Sequence, residues 1–422
     1  MATSQKNRPR SSTPTSRPDV NRAGAFSARL LAIATPIDAE RELLRIKVDP
    51  AGIAMMAPKM LTRCVHLGSV SCGQANILKQ EMLSLGGDAA VARGTVACSI
   101  ERTDVILVGT DKQFYKLCRK LGQQPFGLPA LATELESVLA NASATPSHWK
   151  TATRELPLTR PLIMGILNVT PDSFSDGNCF FDPGRAVDRA LEMVEQGADI
   201  IDIGGESTRP GAEPVDGDEE LRRLLPVIEQ LAGKLPCPLS VDTWKSAVAR
   251  EALSAGAEII NDISGFTFDA EMAAVVAKTG AGVVLMHTRG RPSTMQADTG
   301  YDDLLGEVIL GLRQSLDIAV AAGIERERIV IDPGIGFAKD EAANMEILRR
   351  LREFTGLGLP LLVGTSRKGF IGTVLGRERG DRLFGTAATV ALAIANGAAI
   401  LRVHDVREMR DVADMAHAII TG

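Results

Sequence analysis

From residue 159 to the carboxyl end, hydrophobic and polar positions follow one repeating pattern. Short apolar runs of strand length fall at 162–167, 200–203, 239–241, 258–260, 282–286, 329–331, 361–363 and 400–403. Between them, apolar residues recur at helical spacing. Ala186, Ala190, Leu191 and Val194 share one face, as do Leu221, Leu224, Leu225, Ile228 and Leu231, and again Leu305, Val308, Ile309, Leu312 and Leu316. Asp182-Pro183 supplies an N-cap and a proline at the first helical position. The pattern predicts eight strand–helix units in about 264 residues, the count and length that close a (β/α)8 TIM barrel. An open doubly wound sheet is the competing arrangement, but no run leads into the Gly-x-Gly-x-x-Gly turn that would favour it.

Upstream the pattern is different. Residues 38–142 read as a small α/β domain: a strand over 42–48, a helix with Leu78, Met82 and Leu85 ended by Gly86-Gly87, and a strand over 105–108. Thr110 and Gln113 form a capping box for a helix carrying Phe114, Cys118 and Leu121 and stopped by Gly122, and a further helix is expected over 131–139. The polar stretch 143–158, with Pro146 and Pro157, reads as a linker to the barrel at 159–422. Residues 1–37 are basic, Ser/Thr/Pro-rich and almost free of acids, the composition of a disordered tail or of an organelle transit peptide.

Composition narrows the function. With 45% hydrophobic and 23% charged residues, the 422-residue chain is ordinary for a globular protein. A net charge of −5 and 4% aromatic residues argue against nucleic-acid binding. No apolar run reaches the roughly 18 residues of a membrane span. The six cysteines are scattered without a Cys-x-x-Cys pair, which fits reduced thiols in a cytoplasmic protein better than a disulfide or zinc framework. Cys64, His66 and Cys72 match no metal-ligand spacing and read as packing residues.

The chemistry lies where the barrel strands end. Active sites of such barrels form at the C-terminal ends of the strands. Here those ends present Asn168, the 205–211 loop, Asp242, Asn261-Asp262, Met286-His287, Asp332, the 364–370 loop and Arg402 with His404. One polar strand end means little; eight facing one rim describe a site. Arg402 and His404, with Asn168 across the closure, suit an anionic group held with a hard cation, because Mg2+ takes oxygen ligands and borrows phosphate oxygens. Asp332, Asn261 and Lys368 offer an acceptor, an amide and a donor, the set that reads the edge of a flat nitrogen heterocycle. Met286 would supply an apolar wall, and Asp242 would face a developing positive charge. Asn261 and Asp262 read equally well as loop holders, His287 as a buried supporting histidine, and Glu206 as a brace of its own loop. Lys368 would contact an anion or carbonyl, or form a Schiff base.

These segments resemble a known family. Gly165-Ile-Leu-Asn-Val-Thr-Pro-Asp-Ser-Phe-Ser-Asp-Gly177, Gly205-Glu-Ser-Thr-Arg-Pro-Gly211, Ser240-Val-Asp-Thr243, Asn261-Asp-Ile-Ser-Gly265, Asp332-Pro-Gly-Ile-Gly-Phe337, Ser366-Arg-Lys-Gly-Phe370 and Arg402-Val-His-Asp405 resemble, in order, the signatures of the dihydropteroate synthases. The resemblance covers 159–422 and leaves the front domain unassigned. It implies a transferase of folate biosynthesis, a sulfonamide target, that condenses 6-hydroxymethyl-7,8-dihydropterin diphosphate with 4-aminobenzoate. It implies pterin contacts from Asp242, Asn261, Met286, Asp332 and Lys368, and diphosphate contacts from Asn168, Arg402 and His404, with Mg2+ at Asn168. It implies an aminobenzoate site from Thr208, Arg209, Pro210, Phe337, Ser366 and Lys368, with Ser366 opening a helix that receives the carboxylate, and a homodimer. Asp242, Lys368, Asn168 and Arg402 would carry the catalysis. Thr288 and Asn178 depart from the usual pattern, in loops only. The rival readings are a methyltetrahydrofolate-dependent methyltransferase, which has no need of Arg402, His404 or the 366–370 segment, and a non-catalytic pterin-binding protein, which would not keep a complete polar rim.

Overall fold

The computed structural model describes residues 28–170, 182–207, 211 and 213–421. The expected elements from 159 onward are present and close on themselves. Eight parallel strands line up in the order β11-β10-β9-β8-β7-β6-β13-β12: β6 Leu162–Asn168, β7 Ile200–Gly204, β8 Leu239–Asp242, β9 Ile259–Asp262, β10 Gly282–Met286, β11 Ile329–Asp332, β12 Leu362–Val363 and β13 Ile400–Val403. A parallel bridge from Ile331 to Leu361 joins the two ends of the list. Helices pack around the outside, and their apolar faces meet the outward residues of the strands in one large core. Asp182 caps the helix Pro183–Glu195 by accepting from the Gly184 N–H, as the sequence predicts.

The stretch expected to be a linker is part of the barrel. His148–Lys150 (β4) and Glu155–Pro157 (β5) form an antiparallel hairpin. It closes the amino-terminal end of the barrel with Trp149, which is 0% exposed and packs against Leu162, Met164, Ile200, Ile259, Val284 and Val330. The Trp149 indole N–H donates to Arg328 O at 3.0 Å. Thr151 donates to the Glu258 carboxylate at 2.8 Å, and Arg154 pairs with it at 3.0 Å. Two three-residue strands, His-Trp-Lys and Glu-Leu-Pro, each with one large apolar residue at its centre, carry no readable period, so the sequence pattern missed them.

The front domain is an antiparallel sheet in the order β1-β3-β2, from Thr62–Ser71 (β1), Asp88–Val91 (β2) and Arg102–Thr110 (β3). The helices Cys72–Ser84 and Asp111–Leu121 pack on it, and Leu78, Met82, Phe114 and Leu117 form a separate core. The predicted strand over 42–48 is instead mostly the helix Pro36–Arg45. The Thr35 hydroxyl accepts from the Asp38 N–H while Asp38 accepts from the Thr35 N–H, and Pro36 presets the first turn. Ala39 and Leu43, one helical turn apart, are the buried pair. The domain therefore begins before residue 38. Residues 1–27 of the expected tail lie outside the described residues.

Two cysteine expectations part ways. Cys72 and Cys98, 26 residues apart in sequence, are joined in a disulfide. The helix start at Cys72 and the loop after β2 bring them together, a pairing that no local spacing announces. Reduced thiols are therefore a wrong inference for this pair. Cys64 is exposed on β1 and His66 faces Asp104 at 3.4 Å, so these two do not gather round Cys72.

The front domain meets the barrel through the helix Leu128–Ser143 and the 3-10 turn Leu351–Leu357. Asn141 donates to Gly356 O at 3.0 Å, and Glu134 pairs with Arg313 at 2.5 Å. Among the described residues no helix is long and apolar enough to cross a membrane.

Replacing the barrel's plug tests its contribution. Trp149→Ala should lower unfolding free energy by about 3–5 kcal/mol, the usual cost of emptying a large aromatic site. In urea titrations the midpoint should drop with the slope unchanged; a loss below ~1 kcal/mol would make the hairpin a surface ornament.

Candidate active site

The carboxyl ends of the strands surround a cavity of about 1130 Å³. Asn168, Asp242, Asn261, Met286, Asp332, Phe337, Ser366, Lys368, Arg402 and His404 all line it, so sequence reasoning gathered one site rather than scattered polar residues. Thr208, Arg209 and Pro210 lie outside the described residues.

The centre is an ion-pair network. Arg402, on β13, reaches across β6: its Nε donates to Asp202 Oδ2 at 2.6 Å and its Nη2 to Asp242 Oδ2 at 2.7 Å. Asn261 Nδ2 donates to Asp202 Oδ2 at 3.1 Å. That bond orients the amide, turning its carbonyl oxygen away from Asp202. Asp202 was not anticipated. It stands mid-strand in β7 at 0% exposure, and the only hint in the sequence is a carboxylate inside the apolar run Ile200-Ile-Asp-Ile203. Asp202 Oδ1 and Asp242 Oδ1 are buried without a partner. Two carboxylates share one guanidinium, so one of them lacks a full counter-charge when both are ionised. Burial pushes the Asp242 carboxyl up to about 7 against the pull of Arg402, with Asp202 adding to the rise. Arg402, expected to face an anion, therefore first braces two acids.

Beside this network stand the heterocycle-reading groups. Asp332 Oδ1 accepts the Gly334 N–H at 2.7 Å. Burial pushes its carboxyl up to about 6, with Gly334 and Lys368 opposing. Lys368 is driven down to about 8 by burial and by Arg402, and its Nζ lies 4.2 Å from the centre of the Phe337 ring. Met286, Phe337, Trp244, Ile263 and Met295 form one apolar cluster along the wall.

On the anion side, Ser366 departs from expectation. The helix there begins at Gly369, with Lys368 as its cap, and runs only seven residues. Ser366 Oγ instead accepts from the His404 N–H at 3.2 Å and lies 3.0 Å from His404 Nδ1. The hydroxyl keeps its own proton for Nδ1, and in the tautomer that accepts it the imidazole proton sits on Nε2. Burial, with Arg367 and Arg402 nearby, holds His404 neutral, down to about 3.

The supporting residues behave largely as predicted. Asp262 accepts from the Ser264 N–H at 2.8 Å and the Phe266 N–H at 2.9 Å, a loop holder, whereas Asn261 faces the lumen. Glu206 accepts from the Val215 N–H at 3.1 Å and also pairs with Lys245. His287 is buried against Lys339, with Nδ1 to Nζ at 3.1 Å. Burial drives His287 down to about 3 and Lys339 down to about 7.

Among the described residues no group of three or more His, Cys, Asp or Glu is placed to enclose a metal ion. Mg2+ can also be held by one or two protein oxygens with water and phosphate oxygens completing its shell, and Asn168 lines the cavity with an amide oxygen of that kind.

Polar strand ends gathered round one cavity at the carboxyl end of a (β/α)8 barrel, with an acid-braced arginine and an apolar wall, are the setting of an enzyme active site. The family model of pterin binding enzymes matches residues 164–404. The dihydropteroate synthase of Synechocystis is 51% identical over 261 residues, covering 62% of this chain and 90% of that protein. A probable bifunctional folylpolyglutamate synthase/dihydropteroate synthase of Haloferax volcanii is 42% identical over 390 residues, 88% of this chain; the chain spans only 45% of that relative's length. The crystal structure of Xanthomonas albilineans dihydropteroate synthase with 4-aminobenzoic acid superposes with a TM-score of 0.61 at 44% identity, covering 65% of this chain and 98% of that one. The chain belongs to the dihydropteroate synthases, a family of pterin-binding barrel enzymes.

The buried acid beside the heterocycle edge costs stability. Asp332 has a folded pKa of about 6 against an ordinary 3.8. Its ionisation therefore opposes folding: the penalty is absent below the ordinary value, grows as pH rises between the two, and is complete above the folded one. Asp332→Asn should stabilise the chain by about 1–3 kcal/mol at pH 8 and by almost nothing near pH 3.5, as read by urea unfolding at the two pH values. Equal effects at both would remove the charge as the cause.

Proposed function

We propose that the barrel condenses 6-hydroxymethyl-7,8-dihydropterin diphosphate with 4-aminobenzoate, giving 7,8-dihydropteroate and pyrophosphate. One observation carries this: an acceptor, an amide and a donor (Asp332, Asn261 and Lys368) line the same cavity as the electron-rich Asp202–Arg402–Asp242 network. The pterin edge would bond to the first set, with Met286 against its face. The C–O bond to the diphosphate breaks with its electron pair leaving on pyrophosphate. The methylene left behind is a cation conjugated with the pterin, and Asp242, in its ionised form, stabilises it. The neutral aromatic amine then forms the C–N bond and gives up a proton, so no strong base is needed.

His404 Nε2–H and the remaining N–H edge of Arg402 would hold the diphosphate, and Asn168 would hold Mg2+, which supplies charge neutralisation to the leaving group. Phe337, Lys368 and Ser366 would bound the aminobenzoate, with Thr208, Arg209 and Pro210 closing over it. A homodimer is supported by apolar side chains on the last two helices, where Phe384 is 84%, Leu392 60% and Ile419 70% exposed.

Two measurements test this. The full chain with both substrates and Mg2+ should release pyrophosphate and form dihydropteroate, and Asp242→Asn should slow turnover on the order of 10²-fold with pterin binding largely kept. Near-normal turnover would remove Asp242 from the reaction. In calorimetric titrations, aminobenzoate should bind weakly to the free enzyme and clearly once pyrophosphate, Mg2+ and a pterin are present. Saturating aminobenzoate should in turn tighten pyrophosphate, since coupling is reciprocal. Equal affinities in both cases would mean a preformed pocket.

A further inference from the structure

Behind Phe337 lies a second lysine that the reaction above does not use. Lys339 is 2% exposed. Its ammonium donates to Phe337 O at 2.9 Å, lies 3.1 Å from His287 Nδ1 and reaches His287 O at 3.4 Å. All three acceptors are uncharged. Burying a cation on neutral partners is expensive, and an apolar side chain would fill the same space at less cost. The acceptors belong to two different strand-end loops, after β10 and after β11. The amine head can join all three, and in its protonated form it has no lone pair, so His287 Nδ1 then accepts.

Within the loop it joins, the Phe337 N–H donates to Gly334 O at 3.1 Å, and the remaining peptides look to side chains. Gly334, Gly336 and Ala338 have φ of +73°, +81° and +49°, three left-handed residues in alternation. A β-carbon on Gly334 would sit 2.0 Å from His287 O, so the two loops are in backbone contact. Side chains fix the intervening peptides one by one. Asn344 Oδ1 accepts from the Gly336 N–H at 2.6 Å, Gln296 donates to Gly336 O at 3.3 Å, and the Tyr301 hydroxyl donates to Ala338 O at 3.0 Å. Lys339 holds the peptide between them, that of Phe337 itself. Phe337 is thus fixed at its carbonyl by one lysine and faced on its ring by another, Lys368.

We infer that Lys339 is a positioning residue: by tying the Phe337 carbonyl to the β10 loop, it sets the depth and width of the pocket for the aromatic amine, and so governs affinity and selectivity for that substrate. The inference rests on the reaction proposed above. It concerns the aromatic amine first, because Asn261, among the pterin-reading groups, is held by Asp202 on β7 and not by this loop.

Steady-state kinetics on the full chain, varying each substrate in turn, tests it. Lys339→Met, with similar length but no donor, should raise KM for 4-aminobenzoate on the order of 10-fold, leave KM for the pterin diphosphate within about threefold, and lower kcat less than KM rises. The variant should also accept an aminobenzoate bearing a ring substituent that the parent enzyme rejects, a gain that simple destabilisation does not produce. Lys339→Gln keeps two N–H donors and should fall between the two. If Lys339→Met does not fold, Lys339→Gln and Tyr301→Phe carry the test. Tyr301→Phe deletes only the bond to the next carbonyl of this loop and should move the aminobenzoate KM in the same direction by about two- to threefold. An unchanged aminobenzoate KM in the folded variants, or equal rises for both substrates, overturns the role. A parent chain that makes no dihydropteroate would remove the reaction and this role together; an active parent with indifferent variants removes the role alone.

Discussion

One guanidinium holds the mouth of this barrel together. Arg402 projects from β13 and meets carboxylates on β7 and β8, spanning four adjacent strands of the sheet. Removing Arg402 would strand two carboxylates in a buried place, so both acids depend on the one guanidinium. The same network positions Asn261 through Asp202 and leaves Asp242 Oδ1 buried without a partner. Electrostatics and shape are therefore one problem here: the geometry that lets the strand ends converge is also what concentrates negative charge where a cation would form.

The fold was legible because each barrel strand is a largely apolar run with a polar residue at or just past its end, a pattern that survives without knowledge of neighbours. The candidate site was legible for the same reason, and Asn168, Asp242, Asp332 and Lys368 fall where strand ends had to converge. What stayed hidden depended on distant partners. Asp202 lies inside a run whose neighbours are all apolar, and its meaning comes from Arg402, 200 residues later. Lys339 meets three acceptors from two loops, a convergence that no spacing in the sequence announces. Ser366 was placed on a helix that begins three residues further on, and its hydroxyl serves His404 instead.

The front domain failed differently. Its elements are short, and local rules competed: Leu43, Leu44, Ile46 and Val48 suit a strand by composition, yet Thr35, Pro36 and Asp38 start a helix just before them. Its disulfide joins a helix start to a loop, a juxtaposition set by tertiary packing. The match to the Haloferax volcanii relative covers a larger share of this chain than the barrel provides, so the front domain, or much of it, has counterparts in longer proteins; the Synechocystis enzyme matches over little more than the barrel.

The hairpin that closes the barrel floor has an architectural consequence. The helix that docks the front domain ends at Ser143, and the plug begins at His148, so a leash of four residues anchors the whole domain at the end of the barrel opposite the reaction. Additions on that leash leave the substrate path unobstructed. This makes the floor a permissive attachment point, where a lineage can graft or discard a passenger domain without retuning the chemistry above it.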